Sequence, residues 1–180
     1  MTEYPNYFSQ KVLLSLGSNI GDSRLIILKA IDSLDKIEGI SVLKISSFYE
    51  TEPFGFVEQA NFINVSVLLE TLLLPFELLK ICKQIEFSLG RKQRPRWYER
   101  EIDIDIVLFA DLSINSDILV LPHPQMHLRR FVLQPSAEIA PEMQHPVLKR
   151  SVASLFANCS DVLKVEITNI EDISEHILTD

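Results

Sequence analysis

The 180-residue sequence predicts an α+β protein, a ferredoxin-like α/β sandwich in which helices pack on one face of a mainly antiparallel sheet. Three observations carry this. Apolar periodicities follow the order β-α-β-β-α-β along residues 12–108. Two segments, 62–69 and 101–108, alternate with period two. At 47% hydrophobic residues and a mean hydropathy of +0.15, the chain can fill a core without staples. One domain over 1–180 is expected, with residues 1–10 a polar leader and 168–180 an acidic tail at its periphery.

The elements follow in order. Val12-Leu13-Leu14-Ser15-Leu16 reads as a buried first strand ended by Gly17-Ser18-Asn19. Gly21-Asp22-Ser23 offers N-cap chemistry to a helix carrying Ile27, Ala30, Ile31, Leu34 and Ile37, which Gly39 stops. Val42–Tyr49 reads as a second strand, broken by the loop Glu52-Pro53-Phe54-Gly55-Phe56. The period-two stretch from Phe62 to Leu69 is the third strand. Pro75 suits the first turn of a second helix that ends at Gly90. A basic loop, 91–100, precedes a fourth strand, Ile102–Leu108. Five prolines between 122 and 146 leave room only for short helical turns near Met126–Phe131. A third helix near Val152–Ala157 and a last strand, Val162–Ile167, complete the chain.

The net charge is −8, yet Arg91, Lys92, Arg94, Arg96 and Arg100 fall within ten residues, with only Glu99 of opposite sign among them. An acidic chain is a poor general nucleic-acid binder, because that affinity comes from neutralising many phosphates. A local cluster points to a small polyanion, with Arg91 and Arg100 as candidate contacts; a solvated basic loop is the alternative. Cys82 and Cys159 stand in no metal-ligand spacing, and a reducing cytoplasm suits them. No apolar run reaches the ~18 residues of a membrane span, and Met1-Thr2-Glu3-Tyr4-Pro5 has no secretion-signal character. No nucleic acid or membrane partner is expected.

The sharpest chemical signal is Arg100-Glu101-Ile102-Asp103-Ile104-Asp105-Ile106. On a strand, Asp103 and Asp105 project from the same face with Cβ atoms roughly 7 Å apart. If the isoleucines face the helices, the carboxylates line the opposite surface. Paired carboxylates raise each other's pKa unless a cation sits between them. Hard oxygen ligands beside an arginine loop are what Mg²⁺ and a polyphosphate require together; a solvated strand face is the plain alternative. Leu16–Asp22 is not a Walker A loop, having no lysine, and a capped strand-to-helix turn explains it. His123 and His127 are separated by Pro124 and lack an H-E-x-x-H pattern, so a phosphate contact from His123 is the better functional reading. Phe54, Phe62 and Phe131 are core residues unless a planar ligand recruits them.

With these blocks in view, the chain closely resembles the 6-hydroxymethyl-7,8-dihydropterin pyrophosphokinase family, also called 2-amino-4-hydroxy-6-hydroxymethyldihydropteridine diphosphokinases. The resemblance rests on Leu14–Asp22, on Ser46–Gly55 running on to Asn61–Asn64, on Arg100–Ile106, and on Pro122-His123-Pro124 through Arg129–Leu133 to Glu138-Ile139-Ala140-Pro141. It implies transfer of pyrophosphate from ATP, as co-substrate, to the pterin hydroxymethyl group, giving the pterin diphosphate and AMP in folate biosynthesis. It also implies a cytoplasmic enzyme, a monomer or weak homodimer, that uses two Mg²⁺ ions. Carried over by position, Asp103 and Asp105 match the metal ligands, and Arg100 the triphosphate contact before them. Glu86, Trp97, His123 and Arg129 match nucleotide- and phosphate-side residues. Phe62 and Phe131 match the aromatic sandwich around the pterin, Asn64 its edge contact, and Thr51 and Phe54 further contacts from the backbone. Arg100, Asp103, Asp105 and His123 are thus the expected catalytic set.

Two departures stand out. Trp97-Tyr98-Glu99-Arg100 replaces the usual W-G-[PA]-R, and Glu52 stands where proline is common. Rival readings fare worse. A small-molecule sensor of the same topology has no use for the D-x-D face, and no RNP1-like strand supports an RNA binder. A different Mg²⁺-dependent nucleotidyl enzyme is the nearest competitor and would release pyrophosphate instead of AMP. No side chain is an obvious general base.

Overall fold

The structure, a computed structural model, describes residues 9–53, 59–92, 94 and 98–168. The chain runs β1 (Gln10–Ser18), α1 (Ser23–Asp35), β2 (Ile40–Ile45), β3 (Tyr49–Thr51), β4 (Phe62–Thr71), α2 (Pro75–Ser88) and β5 (Asp103–Phe109). Then come two hairpin strands, β6 (Ile114–Asn115) and β7 (Val120–Leu121), a 3-10 turn at Met126–Leu128, and α3 (Arg130–Ile139). Strands β8 (Gln144–His145) and β9 (Arg150–Ser151), helix α4 (Val152–Ala157) and β10 (Val165–Ile167) follow. The main sheet is antiparallel at every pairing, in the order β10-β3-β4-β1-β5, with β2 also on β4.

Asp22 caps α1 by accepting from the Leu25 amide at 3.0 Å, as its position predicts. Ile27, Ala30, Ile31 and Leu34 of α1, with Leu78, Cys82 and Ile85 of α2, pack on Val12, Leu14, Leu16, Val65, Val67, Leu69, Ile104 and Ile106. Each large aliphatic residue enclosed there contributes about 1.5–3 kcal/mol.

Helices cover both faces, not one. On the second face, Val132, Leu133 and Ile139 of α3 and Val152 and Leu155 of α4 pack on Leu13, Leu68 and Val107. The expectation of only short turns in the proline-rich region fails for the same reason. Pro135 is buried inside the ten-residue α3, and the apolar stripe it shares with Val132, Leu133 and Ile139 outweighs the one backbone donor that proline removes. The predicted second strand is two, because Ser46 and Ser47 turn aside. The Ser46 hydroxyl accepts from the Ser66 amide at 2.9 Å, and the Ser47 amide donates to both Glu138 carboxylate oxygens at 3.0 Å. The last strand is shorter than expected, Val165–Ile167, and β1 runs on through Gly17 to Ser18.

The second sheet face changes character partway along its strands. Leu13 and Leu68 pair across β1 and β4 under α3. Two residues on, Ser15 lies between Ser66 and Asp105; two further, Gly17 lies between Asn64 and Asp103. A register shift in β5 sets Val107 as the extra residue and keeps the aspartates on this face while the isoleucines stay on the other. The helices cover the leucine row and leave the polar rows as the floor of a cleft.

Candidate active site

Cross-strand neighbours on one face lie about 4.5–5.5 Å apart at Cβ, so the two polar rows form a close-set floor of Asn64, Gly17, Asp103, Ser15 and Asp105. Gly17 leaves room for the Asn64 amide: a Cβ there would lie 3.0 Å from Asn64 Oδ1, so that side chain would have to give way by a few tenths of an ångström. Asn64 is oriented by donating from Nδ2 to Thr51 Oγ1 at 2.8 Å. Phe62, opposite Thr51 in the register, and Phe131, at the start of α3, stand on the walls. His123, Gln125, Arg129, Arg100, Tyr98 and Glu52 complete a cleft of about 280 Å³.

Charge is arranged unevenly within it. Burial, with Asp103 alongside, pushes the Asp105 carboxyl up to about 6. Asp103 is partnered instead: Arg91 Nη1 donates to its Oδ1 at 2.6 Å, with Lys83 Nζ 4.0 Å away. Arg91 also pairs with the buried Glu86, which accepts from Lys83 Nζ at 2.8 Å and from the Ile104 amide at 2.7 Å. Burial pushes the Glu86 carboxyl upward against those partners. Glu86 and Arg91 therefore lie outside the cleft, in an adjoining basic groove with Lys83, Lys92 and Arg94. Arg100 borders both spaces.

His123 is anchored by its amide to the Val107 carbonyl at 2.9 Å, on the β5 irregularity. Burial, with Arg129 next, pulls its pKa down to about 4, so the ring is neutral at pH 7. Its Nδ1 accepts from the Gln125 amide at 3.3 Å, which places the ring proton on Nε2. The Arg129 guanidinium sits 5.6 Å from the Phe131 ring centroid and bonds Gln125 Oε1. Arg94 grips Glu101 through two bonds of 2.6 and 2.7 Å, which hold that carboxyl down at about 2.

The structure thus gathers Thr51, Phe62, Asn64, Arg100, Asp103, Asp105, His123, Arg129 and Phe131 around one cleft. Phe54 and Trp97 lie outside the described residues. Sequence reading missed Ser15, Gly17, Asn19 and Gln125. Ser15 and Gly17 were findable, because they alternate with Leu14 and Leu16 on one strand. Asn19 stands inside the Leu14–Asp22 block of the resemblance, but nothing local assigns it a contact. Its amide donates to the Arg100 carbonyl at 3.0 Å, its Oδ1 accepts from the Arg100 amide at 2.7 Å, and its Nδ2 donates to the Ala60 carbonyl at 3.1 Å. The turn after β1 is therefore a junction between both loops beside the cleft. Among the described residues no three His, Cys, Asp or Glu side chains converge as a self-sufficient metal site, and no helix is long and apolar enough to cross a membrane.

An antiparallel α+β sandwich with a carboxylate pair, arginines and an aromatic-walled cleft on one sheet face fits the class of enzymes that bring a planar small molecule together with a polyanion. Comparison with known proteins makes this specific. Residues 13–141 match the model of the 7,8-dihydro-6-hydroxymethylpterin-pyrophosphokinase (HPPK) family, and the chain belongs to that family. It is 44% identical over 131 residues to the 2-amino-4-hydroxy-6-hydroxymethyldihydropteridine pyrophosphokinase of Bacillus subtilis (strain 168), covering 73% of this chain and 78% of the relative. To the Aquifex aeolicus (strain VF5) protein of the same name it is 45% identical over 139 residues, covering 77% and 86%. The Plasmodium falciparum HPPK-DHPS crystal structure with pteroate shares the fold, with a TM-score of 0.66 at 18% identity over 83% of this chain and 42% of that one. The family's reaction, pyrophosphate transfer from ATP to 6-hydroxymethyl-7,8-dihydropterin in folate biosynthesis, is this chain's function.

Proposed function

We propose that one cleft holds both substrates, with the pterin at the Thr51–Phe62–Asn64–Phe131 end and the ATP triphosphate at the Arg100–His123–Arg129 end. The carrying observation is that Asp103 and Asp105 lie on the floor where the two ends meet, facing the same space as the aromatic walls. Phe62 and Phe131 suit the two faces of a planar ring, and Asn64, its amide already fixed by Thr51, suits a hydrogen-bonding edge. His123 offers its Nε2 proton to a phosphate oxygen without adding a charge, and Arg129 and Arg100 supply charge.

Mg²⁺, two ions, is part of the same proposal, and the residues present fit it. Asp103 and Asp105 project from adjacent rows of the same sheet face into the cleft, and burial first, then Asp103, raises the Asp105 carboxyl. Two carboxylates with the remaining positions left to phosphate and water is a donor set that Mg²⁺ accepts. When bound, Mg²⁺ would neutralise charge on the transferring phosphoryl oxygens. Asp103 and Asp105 would hold it. Glu86 and Arg91 act from the adjoining groove, where Arg91 bridges Glu86 to Asp103 and so links the nucleotide side to the site floor. A cytoplasmic monomer or weak homodimer, forming a single pyrophosphokinase domain that needs no nucleic acid or membrane, completes the reading.

Product analysis tests it. Purified protein with ATP, Mg²⁺ and 6-hydroxymethyl-7,8-dihydropterin should release AMP and the pterin diphosphate in equal amounts. Release of pyrophosphate or ADP would overturn the assignment of the cleft. Activity unchanged by chelation would overturn the metal.

A further inference from the structure

The family match ends at residue 141, yet the segment that follows α4 makes the connections that hold two walls of the cleft. The α3 N-terminus has no cap of its own, since the N-cap residue Arg129 makes no side-chain capping bond. Asp161 supplies one from 31 residues away: its Oδ2 accepts from the Arg130 amide at 2.9 Å, and its Oδ1 accepts from the Leu163 amide at 3.0 Å. A carboxylate there also meets the positive end of the helix. The Arg130 guanidinium lies 5.1 Å from the Phe156 ring centroid, which steadies the same turn against α4. The chain then enters β10, which pairs with β3 so that Val165 lies opposite Thr51. Thr168 closes the strand, donating from its amide to the Phe48 carbonyl at 2.9 Å and from its hydroxyl at 3.2 Å. Gln134 of α3 reaches the Val165 carbonyl at 3.5 Å.

We propose that residues 161–168 form a strap that positions the acceptor end of the cleft, with Asp161 as its principal positioning residue. The strap ties the turn presenting Phe131 to the strand presenting Thr51, the two elements between which the pterin would lie. Its strand β10 lies at the opposite edge of the sheet from β5, which carries Asp103 and Asp105, and the Arg129 side chain is held by Gln125. Its effect should therefore fall on the pterin and spare ATP. A displaced Phe131 ring loses its stacking geometry although no substrate contact has been deleted. The inference rests on the assignment of the pterin to the Phe62–Phe131 end.

Steady-state kinetics on the full chain tests it. Asp161→Ala should raise the KM for the pterin by about threefold to thirtyfold, the range that loss of an N-cap can transmit, with the KM for ATP within about twofold. Asp161→Asn keeps one acceptor oxygen but turns an NH2 donor toward the second of the two amides, so it should recover part of the pterin KM and leave it between wild type and Asp161→Ala. Thr168→Val, a milder cut at the other end of the strap, should move it in the same direction if the alanine variant does not fold. Ile31→Val, in α1 on the far face, serves as a destabilised control and should lower Tm without changing either KM. An Asp161→Ala enzyme with lowered Tm and an unchanged pterin KM would reduce the strap to plain stabilisation, and equal changes in both KM values would also overturn the proposal. Phe131→Ala separates this failure from that of the underlying assignment. If that variant too leaves the pterin KM unchanged, the location of the pterin is wrong and not only the strap.

Discussion

Asn19 and Arg100 clasp each other reciprocally: the Asn19 amide donates to the Arg100 carbonyl at 3.0 Å, and the Arg100 amide donates to Asn19 Oδ1 at 2.7 Å. Eighty-one residues separate them in sequence. The clasp fixes the backbone from which the Arg100 side chain reaches both the cleft and the basic groove, and the Asn19 side chain extends the tie to Ala60. Asn19→Ala should therefore act as a partial Arg100 deletion. Losing hydrogen bonds of this kind costs about 1–3 kcal/mol, so kcat/KM for ATP should fall about fivefold to a hundredfold while far-ultraviolet circular dichroism stays unchanged. Near-normal ATP kinetics in the folded variant would show that Arg100 holds its place without the clasp.

Asp103→Asn and Asp105→Asn should each fold and each lose about 10²–10³ in kcat at saturating Mg²⁺, the usual cost of removing a preorganised charge-stabilising group. Turnover close to wild type in either variant would remove that residue from the metal site. The two should differ in one respect. Asp103→Asn also removes one of the two carboxylates that hold Arg91, leaving Glu86 as the other, so its loss should extend to ATP binding measured without metal.

Phe131→Ala should weaken pterin binding severalfold or more and leave ATP binding nearly unchanged, because aromatic stacking contributes about 0.5–1.5 kcal/mol beyond burial. Calorimetry with each substrate separately distinguishes this from a packing defect, which would weaken both.

The Asp105 carboxyl has a stability signature in metal-free buffer. Its pKa rises from 3.8 unfolded to about 6 folded, chiefly through burial and then through Asp103. Between those values the folded state binds more protons than the unfolded state, so stability falls as pH rises through the window, and the cost is complete above about 6. Asp105→Asn should consequently raise Tm by a few degrees at pH 7.5 in EDTA, on the order of 1–3 kcal/mol, and by much less at pH 4. Equal shifts at both pH values would show that the carboxylate's charge is not what strains the site.

The loop departure gives a salt-dependent prediction. Glu99 Oε1 lies 3.8 Å from Arg94 Nε, with the Glu99 side chain half exposed, and Tyr98 borders the cleft. Tyr98→Gly with Glu99→Pro removes a carboxylate beside the triphosphate end and should tighten ATP binding, more at low salt than at high. Affinity that does not change at either ionic strength would mark the departure as neutral.

Local pattern carried a large share of this protein. Alternation in 101–108 put Asp103 and Asp105 on one face, Asp22 announced the start of α1, and the blocks around Arg100 and His123 named the family. These are statements about neighbours in sequence, and side-chain period and capping depend on little else. What only the tertiary structure decided is which residues face the aspartates. Strand register set Ser15 and Gly17 beside them, and packing against Leu13 and Leu68 carried α3 across Pro135 to stand Phe131 over the cleft. Chain return brought Asn19 to Arg100 and Asp161 to Arg130. Such contacts leave no trace in local composition, because each partner on its own is an ordinary polar residue in a turn. Their energy exists only once the sheet has closed and removed the alternatives that water would supply.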